Sequence, residues 1–181
     1  MSDRFEIRFA GSGGQGVILA AVITGEAAAL FEGLEAVQSQ SYGPEARGGK
    51  SKSEVVISKS KIDYPKASNP DLQVILTQVA CDEFASDTKK DGVILVDDTF
   101  VTTPPSGPAK VVSLPIVKTA RGKVGRELVT NMVALGATAR VLEDKGLVKP
   151  ESLKKAILAR VPKGTEEMNE KAFNEGYSLM G

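Results

Sequence analysis

Residues 4–31 read RFEIRFAGSGGQGVILAAVITGEAAALF, and the fold follows from how this stretch divides. Arg4 to Ala10 alternates strictly: Phe5, Ile7 and Phe9 point one way, Arg4, Glu6 and Arg8 the other, which predicts a strand with one polar face. The glycine run GSGGQG, Gly11 to Gly16, follows at once, and Val17 to Phe31 then has the length and the Ala/Leu content of a helix. The expectation is strand, glycine turn, helix. Because that helix is apolar nearly all round, it should be covered on more than one side, in part by a partner surface.

Working outward, Leu34 to Ser39 and Glu54 to Ser58 read as second and third strands with a loop-like stretch between them. Ile62 to Pro70, with Pro65 and Pro70, reads as a connection. Leu72 to Thr77 is a buried strand leading to a helix over Cys81 to Lys89, and Gly92 to Asp97 is another buried strand. A proline-rich loop, Thr102 to Pro108, precedes a strand at Lys110 to Leu114, and a helical pattern runs from about Gly125 to Leu142. Pro150 suits a first helical position in a helix running through Val161. Thr165 suits the cap of a last helix, with Glu166 and Glu167 matched to its dipole and Gly176 as its stop. Alternating strands and helices predict an α/β protein: a three-layer Rossmann-like domain with a mainly parallel, mixed sheet. With no repeat or linker in view, residues 1–181 are read as one domain.

Composition narrows the chemistry. Lys plus Arg and Asp plus Glu both count 23, so the formal net charge is zero and no global field favours nucleic acid. No basic stretch followed by an apolar core opens the chain, and its longest apolar run is broken by Glu26, so the reading is a cytoplasmic protein without a membrane partner. There is no His and only one cysteine, Cys81. Iron–sulfur centres take about four thiolates and structural zinc about four Cys or His ligands, so this chain alone holds neither, and Ser-His-Asp catalysis is excluded. No catalytic residue and no metal ligand set is assigned to it.

Gly11, Gly13 and Gly16 have the dinucleotide-binding spacing, with backbone N–H groups aimed at an anion at the helix start. A nicotinamide cofactor would also need an acid about twenty positions on, at the carboxyl end of the second strand. Glu35 has the spacing but falls at that strand's beginning, and Gln38, Ser39 and Gln40 at its end carry no charge. The glycines equally permit a close strand-to-helix turn and nothing more. Gln15 is the odd residue there, its amide suited to a ligand or a partner's backbone.

A second segment, SYGPEARGG (Ser41 to Gly49), places Tyr42, Glu45 and Arg47 between turn formers, Gly43 and Pro44 before, Gly48 and Gly49 after. Read alone it is either a presenting loop or a solvated turn with a local Glu45–Arg47 pair. Elsewhere, Cys81 is either a reactive thiol at a helix start or a small core residue. Asp97 and Asp98 are either metal ligands at a strand end or loop caps, and Asn131, inside an apolar helix, should hydrogen-bond a loop or a partner.

Taken together, GSGGQGV and SYGPEARGG, in this order and about 25 residues apart, resemble the signature of the gamma subunit of 2-oxoacid:ferredoxin oxidoreductases. The likeness continues through SEVVIS, TQVACDEF, GVILVD, NMVALGA and NEKAFNEG and so covers nearly the whole chain. The resemblance implies an enzyme that decarboxylates a 2-oxoacid on thiamine diphosphate with magnesium, passes electrons through iron–sulfur clusters to ferredoxin and releases an acyl-CoA. It places those cofactors on alpha, beta and delta (ferredoxin-like) partner subunits, with coenzyme A as co-substrate and this chain inactive alone. It further implies that Gly11, Ser12, Gly13, Gly14, Gln15 and Gly16, with Tyr42, Glu45, Arg47, Gly48 and Gly49, border the active-site or coenzyme A region. Arg47 is the residue implied to carry a charge role, and 2-oxoglutarate comes first among substrates, before branched-chain acids and pyruvate. The competing readings are an independent dinucleotide-binding dehydrogenase and a nucleotide-binding scaffold module.

Overall fold

In a computed structural model, which describes residues 3–42 and 49–181, the strand–turn–helix unit stands as expected: β1 (Phe5–Ser12), then α1 (Val17–Glu26). Helix α1 runs on into a π-helical turn, Ala27–Phe31. Next come β2 (Glu35–Tyr42), β3 (Lys50–Ser58), β4 (Leu72–Ile75), α2 (Gln78–Phe84), β5 (Val93–Asp97) and β6 (Lys110–Leu114). The remainder is helical: α3 (Ile116–Thr119) with a π turn at Ala120–Val124, α4 (Thr130–Asp144), α5 (Pro150–Arg160) and α6 (Glu166–Ser178).

The six strands form one mixed sheet in the order β2-β3-β1-β4-β5-β6. β1, β4, β5 and β6 are mutually parallel, and β3 lies antiparallel between β1 and β2. The sheet separates two cores. On one face Ile7, Phe9, Val55, Ile57, Leu72, Val74 and Leu95 meet α1, α4 and α6, and on the other Ala10, Ile75, Ile94 and Val96 meet Ala80 and Cys81 of α2 and Ala85 just after it. No helix among the described residues is long and apolar enough to cross a membrane.

Several sequence expectations need correction. The polar face read into β1 is there and lies in the interior: Glu6 and Arg8 are both buried, Arg8 to 3% exposure. Arg8 donates to Glu54 at 3.1 Å, to Asp87 at 2.7 Å and to the Ala67 carbonyl at 2.8 Å, with its guanidinium 5.3 Å from the Phe84 ring centre. Glu54 in turn accepts the Ala67 N–H at 2.8 Å. This cluster, with Glu6 accepting the Asn69 N–H at 2.9 Å, clips the β3–β4 connection onto the sheet. The second and third strands are longer than read, because β2 and β3 pair without interruption from Glu35↔Ser58 to Tyr42↔Ser51.

Helix α2 starts three residues before Cys81, capped by Thr77 Oγ1, which accepts the Ala80 N–H. Thr165 does stand at the start of α6, but its hydroxyl donates to Pro162 O instead of capping the helix. Gly176 does not stop α6. It lies inside the helix, where a Cβ would come within 1.9 Å of Val133 O, and Gly136 on α4 faces the Phe173 carbonyl at 2.0 Å by the same measure. The two glycines let α4 and α6 touch backbone to backbone.

Candidate functional site

The parallel strands end at one edge of the sheet, and the glycine turn lies there between β1 and α1. Gly14 (φ 89°) and Gly16 (φ 76°) have left-handed backbones that strain any side chain. At Gly11 the geometry is ordinary but space is not, since a Cβ would lie 2.4 Å from Gln15 Oε1. The Gln15 side chain folds back into the turn: its Oε1 accepts the Ser12 N–H at 2.8 Å and its Nε2 donates to Leu76 O at 3.4 Å. Both ends of the amide thus serve the turn and brace it against the end of β4.

The Gly13 N–H donates to Gly49 O at 3.0 Å, and the Gln15 N–H donates to Ser12 O at 3.3 Å. Asn131, 6% exposed at the start of α4, donates from Nδ2 to Gly16 O at 3.4 Å, which is the loop contact its buried amide called for. Helix α1 begins at Gly16 with no side-chain cap and no acidic residue in its first turn. The N–H groups at its start, with the positive end of its dipole, therefore face the edge where the strands end.

The structure thus brings the two ends of the second motif beside the first. Tyr42 is the last residue of β2, Gly49 immediately precedes β3, and Ser12 pairs with Lys50, so the flanks of SYGPEARGG stand beside the glycine turn. Glu45, Arg47 and Gly48 lie outside the described residues. The link the sequence did not reveal is Gly49 O to Gly13 N–H, together with Leu76 O under Gln15. Both use main-chain carbonyls, which leave no trace in residue identity.

Other candidates resolve toward structure. Asp97, fully buried, accepts the N–H groups of Thr99 (3.1 Å), Phe100 (3.0 Å) and Val117 (2.9 Å), which knits the β5 and β6 ends together. Burial pushes its carboxyl above the usual range, and those three bonds oppose the shift. Asp98 pairs with Lys118 at 2.9 Å. No cluster of His, Cys, Asp or Glu among the described residues is arranged to hold a metal ion. Cys81 is 3% exposed, and burial pushes its thiol up, so it behaves as a core residue.

The dehydrogenase reading also meets a topological obstacle. The dinucleotide fold sets the second strand beside the first, but here β3 intervenes, and Glu35 is the first residue of β2, at the opposite end of that strand from Tyr42.

Replacing Gln15 by Ala should leave the Ser12 N–H without its acceptor and lower stability by about 1–2 kcal/mol. Denaturant unfolding measures this, and a midpoint equal to that of the unaltered chain would contradict the assigned role.

Comparison with known proteins gives a consistent result. The family model described as pyruvate ferredoxin/flavodoxin oxidoreductase matches residues 6–179. The 2-oxoglutarate synthase subunit KorC of Methanocaldococcus jannaschii is 51% identical over 97% of this chain and 94% of its own. Its namesake from Methanothermobacter thermautotrophicus is 45% identical over 98% and 95%. Among solved structures, the gamma subunit of a keto/oxoacid ferredoxin oxidoreductase from Geobacter sulfurreducens superimposes with a TM-score of 0.89 at 48% identity, covering 98% of this chain and 96% of that one.

Proposed function

Because the chain belongs to the pyruvate ferredoxin/flavodoxin oxidoreductase family, we propose that it serves as the gamma subunit of a 2-oxoglutarate:ferredoxin oxidoreductase and lines the edge of a partner's active site. The observation that carries this reading is the 3.0 Å bond from the Gly13 N–H to the carbonyl of Gly49, which joins GSGGQG to the last residue of SYGPEARGG at the carboxyl edge of the sheet. In the assembled enzyme the 2-oxoacid is oxidatively decarboxylated to an acyl-CoA and ferredoxin is reduced. The chain's own donors do not fit an iron–sulfur cluster, since its one thiol is buried and a single cysteine cannot replace four. Thiamine diphosphate, magnesium and iron–sulfur clusters belong to alpha, beta and delta partners, and this cytoplasmic subunit, one gamma domain over 1–181, is inactive alone.

Its contribution is positional. The start of α1 offers uncapped N–H groups and a positive dipole end to an anion such as a coenzyme A phosphate, worth about 0.3–1 kcal/mol and more where partly buried. Arg47, between the glycines of SYGPEARGG, supplies a forked contact to a carboxylate or phosphate.

Arg47→Ala should therefore lower kcat/KM of the reconstituted complex by about ten- to hundredfold, the worth of one charged hydrogen-bonded contact, while the isolated subunit melts unchanged. The assay is ferredoxin reduction with 2-oxoglutarate, pyruvate and 2-oxoisovalerate in turn. Full activity and full assembly of the variant would refute the role of Arg47. Failure of any thiamine-binding chain to co-purify with this one would refute the subunit reading itself.

A further inference from the structure

The outer edge of β2 is built unlike the edge at the other end of the sheet. β6 is five residues long, begins with Lys110 and follows a loop holding Pro104, Pro105 and Pro108, which are features that discourage strand addition. β2 is eight residues long, EAVQSQSY, with no proline, no lysine and no break in its register against β3, and its one charge, Glu35, is at its start. No described strand lies beyond it.

The hydrogen-bond phase tells which groups face outward. Gly13 and Gly49, the pair next to Ser12↔Lys50, are bonded to each other. Bonded pairs alternate along an antiparallel ladder, so odd-numbered residues of β3 address β1 and even-numbered ones address β2. The β1–β4 side agrees, since the carbonyls of Glu6 and Ala10, both even, accept from Asp71 and Leu76. On β2 the partners of the even β3 residues are Glu35, Val37, Ser39 and Ser41. Ala36 and Gln38 are left with N–H and C=O directed away from the sheet, about 7 Å apart along the strand. At the end where β2 begins, Leu30 and Phe31 are 71% and 42% exposed in the π turn.

We propose that the β2 edge is an assembly strand, which receives an extended segment of another subunit of the complex. That segment bonds to the main chain at Ala36 and Gln38 and seats an apolar side chain on Leu30 and Phe31. The proposal rests on the gamma-subunit reading. A row of main-chain donors and acceptors specifies an extended polypeptide as its occupant. A second copy fits less well: antiparallel pairing of two β2 strands would put the two Leu30–Phe31 turns at opposite ends, about 27 Å apart, with neither covering the other. A strand alone also falls short of the roughly 1,200 Å² a stable dimer buries.

The test is amide hydrogen exchange at Ala36 and Gln38 in the isolated chain and in the purified complex, together with the variants Gln38→Pro and Ser39→Pro. Exchange should slow by about tenfold or more in the complex only. Gln38→Pro removes an outward N–H and also the side-chain bond from Gln38 Nε2 to Ser53 Oγ at 2.8 Å, so Gln38→Ala is its control: the two isolated variants should melt close to one another, and only Gln38→Pro should deplete partner subunits on co-purification. Ser39→Pro, which removes an N–H directed at β3, should lower the melting temperature. Equal exchange at both amides in an intact, active complex would overturn the assembly strand and leave the subunit reading standing. Concentration-dependent protection in the isolated chain would assign the edge to a second copy and overturn the proposal equally. Absence of any co-purifying partner would remove both.

Discussion

Gly176→Ala should be among the most damaging single-methyl changes in this protein, costing about 3 kcal/mol or more and lowering the melting temperature by roughly 6–12 °C. A Cβ at this position would stand 1.9 Å from Val133 O, 2.7 Å from Val133 C and 2.9 Å from its Cα. These are main-chain atoms of α4, so no rotamer relieves the clash and the helices must part. Parting them strips contacts from Phe173 and Leu135, both buried in the larger core. The control is Gly25→Ala in α1, where the nearest atom to a new Cβ is Val55 Cγ1 at 3.8 Å. There the better helix propensity should raise stability by about 0.4–1 kcal/mol. Calorimetry on the three chains decides the matter. A Gly176→Ala melting point within a degree of the unaltered chain would show that the α4–α6 approach is not tight.

Glu54→Ala should cost about 3–5 kcal/mol, because it leaves Arg8 in the sheet without its buried carboxylate partner and the Ala67 N–H without an acceptor. Asp87 remains at 2.7 Å, but its side chain is 44% exposed, and solvent weakens what it returns. The double change Arg8→Met with Glu54→Leu removes both charges together and should recover a large part of the loss. Urea denaturation of the single and double variants measures it. If the double variant were as unstable as the sum of the two single ones, the coupling would be absent and the cluster would act only by packing.

This cluster also shows where sequence reasoning ran out. Alternation in RFEIRFA fixes which residues share a face, and it does so correctly. It does not say whether the polar face meets water, because that depends on a connection over fifty residues away folding back to supply Ala67 O and Asn69 N–H. The same distance problem hid the purpose of Gly176. At the end of an amphipathic pattern a glycine reads as a stop, and only the approach of α4 makes it a packing residue.

Elements with a local cause were legible. The strand–turn–helix unit, the five-residue run KVVSL and the proline at the first position of α5 are all where the sequence put them. The π turns at Ala27–Phe31 and Ala120–Val124 were not, since one extra residue in a helical turn leaves the composition unchanged. At the site, the glycines and Asn131 were legible through their backbone and burial demands. The turn-closing bonds of Gln15 were not legible, because an amide that closes its own turn looks the same in sequence as one that waits for a ligand.

The bond from Gly13 to Gly49 has a consequence for anyone recombining relatives of this protein. It makes the end of the β2–β3 hairpin and the glycine turn neighbours joined through their main chains, so a graft of residues 41–49 from another member imports a new carbonyl position beneath a turn shaped for the old one. Segments 11–16 and 41–49 form one exchangeable unit, and chimeras that transplant both should retain function where those that transplant either alone lose it.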